Sequence, residues 1–255
     1  MIKTPLKNTK LQNKSLGQIL EIIPEGAVVD SYLFFSGHLE FSLAQYDRFV
    51  CAHTNKYAIY EFWYTLSREP KRIYNMLTSD GFKFDENMFS ILQEKWVEYR
   101  DPVVRSALFF MLNQMSETGA GSHGKLLNKS YNPVALADLR AYKNVPNVHF
   151  ILDKEVDFLD SLVADAKSEF TIVPAGDFNY NLFEDGKNES YDTVKVNHRQ
   201  LKEVLSKTNR NMLLLYNFSK RAKVFYKDHK ITMVDKYGNK TNNQQSAVEM
   251  IVANF

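Results

Sequence analysis

Residues 27–46 read AVVDSYLFFSGHLEFSLAQY, and this stretch decides the fold. Its first nine residues are mostly β-branched or aromatic and are bounded by Gly26 and Ser36-Gly37, the pattern of a short buried strand. Beyond Gly37 the apolar residues of LEFSLAQY fall at helical spacing. Strand, glycine turn and helix in that order open a β-α-β unit, and the neighbouring sequence continues it. Upstream, Leu16, Ile19, Leu20 and Ile23 predict a helix stopped by Pro24 and Gly26. Downstream, RFVCAH predicts a second strand, and NKYAIYEFWYTLSREP predicts an aromatic helix ending before Pro70. The alternation points to a doubly wound α/β sheet.

From Lys71 to Met115 the pattern turns wholly helical, with breaks at Ser79-Asp80-Gly81 and Asp101-Pro102. Residues 116–132, SETGAGSHGKLLNKSYN, read as a loop. Alternation then resumes: PVALADLRAYK helix, VHFILD strand, VDFLDSLVADA helix, EFTIVPA strand, HRQLKEVLSKT helix, NMLLLYNF strand and SKRAKVFYKDH helix, with ITMVDKY and AVEMIVANF as a closing β-pair. The expected organisation is an α/β body formed by 1–68 and 133–255, with an inserted helical lobe at 69–132.

Composition narrows the class without naming an activity. With 255 residues and 44% hydrophobic content, the chain can bury a full core. A net charge of +2 neither requires nor excludes a nucleic-acid partner. Cys51 is the single cysteine, which excludes an intramolecular disulfide framework, and inside FVCAH it reads as a packed residue. No apolar run approaches the roughly 18 residues needed to span a bilayer, so no membrane partner is expected and the expected compartment is the cytoplasm. His123 and His198 lack companions at metal-ligand spacing, and no metal site is expected.

Several stretches, taken in order, resemble the D12-class adenine-specific DNA methyltransferases, the Dam-like family. They are the opening at residues 4–44, ALFFMLNQMSETG, the run from His198 to Val234, and the terminal VEMIVANF. The resemblance implies a Rossmann-like S-adenosylmethionine-dependent methyltransferase fold with an inserted, DNA-reading helical lobe. It also implies sites that this chain does not carry. The glycine-rich cofactor turn corresponds to Phe35-Ser36-Gly37-His38-Leu39-Glu40, where only Gly37 remains small. The family's acidic first strand corresponds to the one holding Asp30, and the ribose-binding acid of the second strand is replaced by His53, read as a neutral imidazole. The N-terminal Gly-Gly-Lys turn becomes Asn8-Thr9-Lys10-Leu11-Gln12. The family's Asp-Pro-Pro-Tyr tetrapeptide aligns with Pro174, Ala175, Gly176 and Asp177, which offers no acceptor at the first position. A shifted register could recruit Asp177 as acceptor and Phe178 or Tyr180 as the base-stacking ring.

The expectation is therefore a catalytically inactive homologue, without a cofactor, that binds DNA or assembles with a homo- or hetero-oligomeric protein partner. The Asn and Lys usage suggests a phage or viral chain, acting in a host cytoplasm or virion. The cofactor pocket should be filled, with His38 or Glu40 in the place of the adenosine. Candidate phosphate contacts are Lys125, Lys129, Arg210, Lys220, Arg221, Lys223 and Lys227; in the lobe that the resemblance makes sequence-reading, the candidates are Lys71, Arg72, Lys95, Arg100 and Arg105. One alternative is a divergent active DNA adenine N6-methyltransferase using S-adenosylmethionine, with Asp177 on its pocket floor. Another is a purely structural interaction module built on the aromatic helices.

Overall fold

The structure, a computed structural model, describes residues 4–7, 11–79, 86–127, 132–153, 157–164, 168–178, 191–192 and 194–255. Among these, seven strands form one sheet in the order β3-β2-β1-β4-β5-β7-β6. They are β1 (Val28–Ser31), β2 (Phe49–Thr54), β3 (Val148–Leu152), β4 (Phe170–Gly176), β5 (Asn211–Asn217), β6 (Lys230–Asp235) and β7 (Ala247–Ala253). Strands β1 to β5 pair in parallel, whereas β7 runs antiparallel between β5 and β6. The closing β-pair expected from sequence is present, joined at a turn through Gly238.

The described residues also form ten α-helices: α1 (Leu16–Ile22), α2 (His38–Gln45), α3 (Tyr57–Arg68), α4 (Pro70–Leu77), α5 (Glu86–Lys95), α6 (Pro102–Met115), α7 (Pro133–Arg140), α8 (Phe158–Ala164), α9 (His198–Lys207) and α10 (Lys220–Phe225). Strand alternation sorts them. Val29, Val50, Ala52, Ile172, Leu213 and Leu215 face one apolar cluster with side chains of α1 to α7. Tyr32, Val173, Met212, Leu214 and Tyr216 face a second cluster with α8, α9 and α10. Helices that precede β3 thus lie on one face and those that follow it on the other, and the winding reverses between β1 and β4. Asp101 and Asn132 cap α6 and α7, each accepting from the backbone two residues on, with proline at the first helical position.

Two boundaries differ from the sequence reading. The first strand ends at Ser31 rather than Phe35, because Leu33 takes a left-handed conformation (φ 58°) that turns the chain out of the sheet. The last helix stops at Phe225, so Lys227 lies beyond it rather than on one helical face with Lys220 and Lys223.

Candidate functional site

A doubly wound sheet offers its crevice outside the carboxyl ends of the strands at the reversal point, here β1 and β4. The turn after β1 is packed solid. Gly37 has φ 75°, and a Cβ there would stand 3.1 Å from the Phe41 ring and 3.3 Å from Trp63. Trp63 is fully buried on α3 and donates its indole N–H to the Phe35 carbonyl at 2.7 Å. From the other side, the Thr4 hydroxyl donates to the Ser36 carbonyl at 2.7 Å and lies 2.9 Å from His38 Nδ1. Burial lowers the His38 pKa, with the Asp138 charge acting weakly against it. Glu40 is buried and accepts from the Ser31 hydroxyl at 2.8 Å. The rings beside Gly37 are therefore those of Phe41 and Trp63.

Beside the turn lies an ionic chain. His53 sits on β2 level with Ile151 of β3, its ring stacked on Tyr32 at 4.5 Å. His53 Nδ1 lies 2.9 Å from Asp153 Oδ1, and Nε2 lies 3.4 Å from Asp30 Oδ1. The second Asp30 oxygen accepts from Ser168 Oγ at 2.7 Å. Burial works against a charged imidazole, but the hydrogen bonds and charges of Asp153 and Asp30 outweigh it and push the His53 pKa up to about 9. For Asp30 burial acts upward, and the bonds to His53 and Ser168 overcome it, so its pKa falls below the usual range. The expectation of a neutral His53 is corrected: the residue is an imidazolium with both ring nitrogens committed.

At the end of β4, Pro174 is buried within the strand. The ladder to β1 ends at Ile172, so the missing Pro174 N–H lies beyond that pairing, and the register with β5 shifts between Pro174 and Gly176. Ala175 is half-buried and Gly176 adopts φ 75°. Asp177 is exposed and accepts from Asn217 Nδ2 at 2.7 Å across the ends of β4 and β5. The Phe178 ring packs 4.6 Å from His198 and 5.3 Å from Phe225. Tyr180 lies outside the described residues.

Beneath Phe178 runs a buried polar chain that no spacing or motif announces. His198 Nδ1 lies 3.0 Å from the Tyr216 hydroxyl, which lies 2.9 Å from that of Tyr226. Burial brings the His198 pKa down to about 4, and burial raises that of Tyr226 to about 12.

The candidate phosphate contacts do not converge on one surface. Lys220 and Arg221 are exposed in the first turn of α10, Lys223 is half-buried, and Lys227 is exposed beyond its end. Arg210 stands at the opposite end of β5 and donates to the Leu162 carbonyl at 3.3 Å. Lys125 is exposed on the loop after α6, and Lys129 lies outside the described residues. In the helical segment, Arg72 and Arg100 are exposed, whereas Arg105 forms a buried pair with Glu61, its Nε 2.6 Å from Oε2. Comparison with known proteins adds no family to this geometry: no protein-family model matches the chain, and no curated protein matches it.

Proposed function

We propose that this chain is a catalytically inactive homologue of the D12-class DNA adenine N6-methyltransferases that has kept the frame as a nucleic-acid-binding or assembly protein. The observation that carries the reading is the turn after β1, where the rings of Phe41 and Trp63 close in on Gly37 so tightly that a Cβ there would stand 3.1 Å and 3.3 Å from them. The residues present do not fit S-adenosylmethionine. At the ribose position, an imidazolium locked between Asp30 and Asp153 has no acceptor to offer. Where the amino group of adenine would need a side-chain acceptor, Pro174 has none.

Strand order supports the methyltransferase-type frame. The dinucleotide-binding order is 3-2-1-4-5-6. Here the 3-2-1-4-5 run is kept and a reversed β7 is inserted between β5 and β6. Exposed Lys220, Arg221 and Lys227 supply the cationic surface for DNA phosphates.

Calorimetric titration of S-adenosylmethionine into the purified chain tests the loss of chemistry, and a gel-shift series with duplex DNA tests the retained partner. The expected results are no binding heat at millimolar ligand and salt-sensitive duplex binding that Lys220→Glu with Arg221→Glu weakens. Micromolar cofactor binding would overturn the reading in favour of a divergent active enzyme, for which exposed Asp177, held by Asn217, is a carboxylate acceptor at the end of β4.

A further inference from the structure

Helix α3 carries an outward stripe that neither the core nor the cofactor crevice uses. Tyr57, Tyr60, Tyr64 and Arg68 follow at i, i+3, i+7 and i+11, one side of the helix, while Ile59, Phe62, Trp63 and Leu66 fill the opposite side. Tyr57 is 58% and Tyr64 is 41% exposed. Tyr60 and Tyr64 are stacked, with centroids 5.8 Å apart and planes at 20°, and the Arg68 guanidinium lies 4.3 Å over the Tyr64 ring. Two rings and a cation are thus already stacked in a row, and the Tyr57 hydroxyl beside them donates to Glu61 at 2.9 Å.

The row stands between two hollows. A cleft of about 650 Å³ lies on one side, reaching Arg72 and Arg100, and one of about 400 Å³ lies on the other, reaching Tyr142 and Phe150. Tyr60 and Tyr64 line both. The acids along the larger cleft are engaged: Glu61 pairs with Arg105, Glu69 pairs with Arg72, and Asp101 caps α6. Arg68 and Arg100 have no carboxylate within ion-pair distance among the described residues. Arg68, Arg72, Arg100 and Arg105 stand there against Glu61, Glu69 and Asp101, so the surplus charge is positive and lies beside the exposed Tyr57 and the Arg68-covered Tyr64.

We infer that this stripe is a binding site for single-stranded nucleic acid, with bases stacking on Tyr64 and Tyr57 and phosphates meeting Arg68 and Arg100. Stacked rings beside unpaired guanidinium groups suit a ligand that alternates flat π-faces with anions, and two hollows sharing one aromatic wall suit a strand longer than one nucleotide. A duplex hides its base faces and would use the cations alone. The inference shares with the proposed function only the class of partner, since it concerns α3 and not the α10 surface.

The test is fluorescence anisotropy of the full chain with a labelled single strand of about 12 nucleotides, the matching duplex and a labelled mononucleotide. Tyr64→Ala should weaken strand binding about ten-fold and leave duplex binding unchanged. Arg68→Ala with Arg100→Ala should flatten the dependence of log affinity on log salt by about 1.4, two contacts at about 0.7 each for single strands. Both sets are exposed side chains, and melting curves check that the variants remain folded. Wild-type strand affinity in Tyr64→Ala, or a mononucleotide that binds as tightly as the strand, would overturn the inference. Duplex binding lost in Lys220→Glu with Arg221→Glu, alongside absent strand binding, would sink this site and leave the proposed function standing. Strand binding lost only through Tyr64 and Arg68, without any duplex binding, would do the reverse.

Discussion

Stability should pass through a maximum near pH 6.5 and fall on both sides, because two buried histidines are held in opposite charge states. His53 has its pKa raised from 6.5 to about 9 in the folded protein. A raised folded value means that the native state holds a proton the unfolded chain releases, so stability from this group is complete below pH 6.5 and lost as pH climbs to 9. At about 1.4 kcal/mol per unit, the loss is about 3 kcal/mol. For a chain of this size that corresponds to a melting temperature lower by roughly 10 °C. His198 behaves in the opposite sense. Its folded pKa is brought down to about 4, so the unfolded chain binds the extra proton, and stability is lost as pH falls from 6.5 to 4. His38, lowered by burial, adds to the acid side. Cys51, raised by burial and by the Asp30 charge, adds to the alkaline side only as pH approaches the thiol range. Urea unfolding at half-unit steps from pH 4 to 9 measures the profile. His53→Gln should be less stable throughout and flat between pH 6.5 and 9, and Asp153→Asn should shorten the alkaline decline by lowering the His53 pKa. A wild-type curve that is level or rising from pH 6.5 to 9, or an unchanged decline in His53→Gln, would refute the imidazolium assignment.

Other substitutions separate the roles of the remaining buried groups. Arg105→Ala should destabilise by about 3 kcal/mol or more, since it leaves Glu61 buried without its cation, and Glu61→Gln in the same chain should recover part of the loss in thermal melts. Trp63→Phe should cost about 2 to 4 kcal/mol by orphaning the Phe35 carbonyl and opening space beside Gly37, with no gain of S-adenosylmethionine binding by calorimetry. Gly37→Ala should lower the melting temperature through both its φ of 75° and the 3.1 Å approach of its new Cβ to Phe41. Ser15→Ala removes the hydrogen bond that the Ser15 hydroxyl donates to the buried Glu249 Oε2 and keeps the one from the backbone N–H of the same residue, and denaturant unfolding should show a loss of about 1 to 3 kcal/mol.

The sheet was legible in the sequence because each strand is a short apolar run set between helices of clear period, and all seven strands fall where those runs lie. What periodicity could not convey was where runs stop. LFF after Tyr32 continues the apolar pattern, and nothing in a leucine side chain announces a φ of 58° at Leu33. The ionic chain was invisible for a different reason. Asp30 and His53 are 23 residues apart, and Asp153 is a further 100 away, so only the register of β1 on β2 and β2 on β3 brings them together. Residue types alone gave His53 as a lost acid, whereas its charge is set by neighbours the sequence does not place. The aromatic helix α3 was half legible. Its inward Phe62 and Trp63 are core as expected, but the outward tyrosines and Arg68 become a surface only once the hollows on either side are seen.

On the proposed reading, the turn after β1 explains how a frame of this kind can lose a cofactor and stay folded. A cofactor crevice is a concavity that the empty protein leaves unpacked, so its stability deficit is tolerated for function. Here the same region is crossed by a network of rings: Trp63 lies 5.1 Å from Phe41, 5.3 Å from Phe62, 5.6 Å from Phe34 and 5.8 Å from Phe150. Each such pair contributes about 0.5 to 1.5 kcal/mol beyond the area it buries. On the proposed reading, His38 and Glu40 did not fill the crevice by reaching into it from the turn. On the same reading, α2 and α3 close it with their own core-facing rings, and Gly37 leaves the space that those rings fill. The same residue type thus persists under a changed constraint, and its retention carries no information about cofactor binding until the atoms beside it are known.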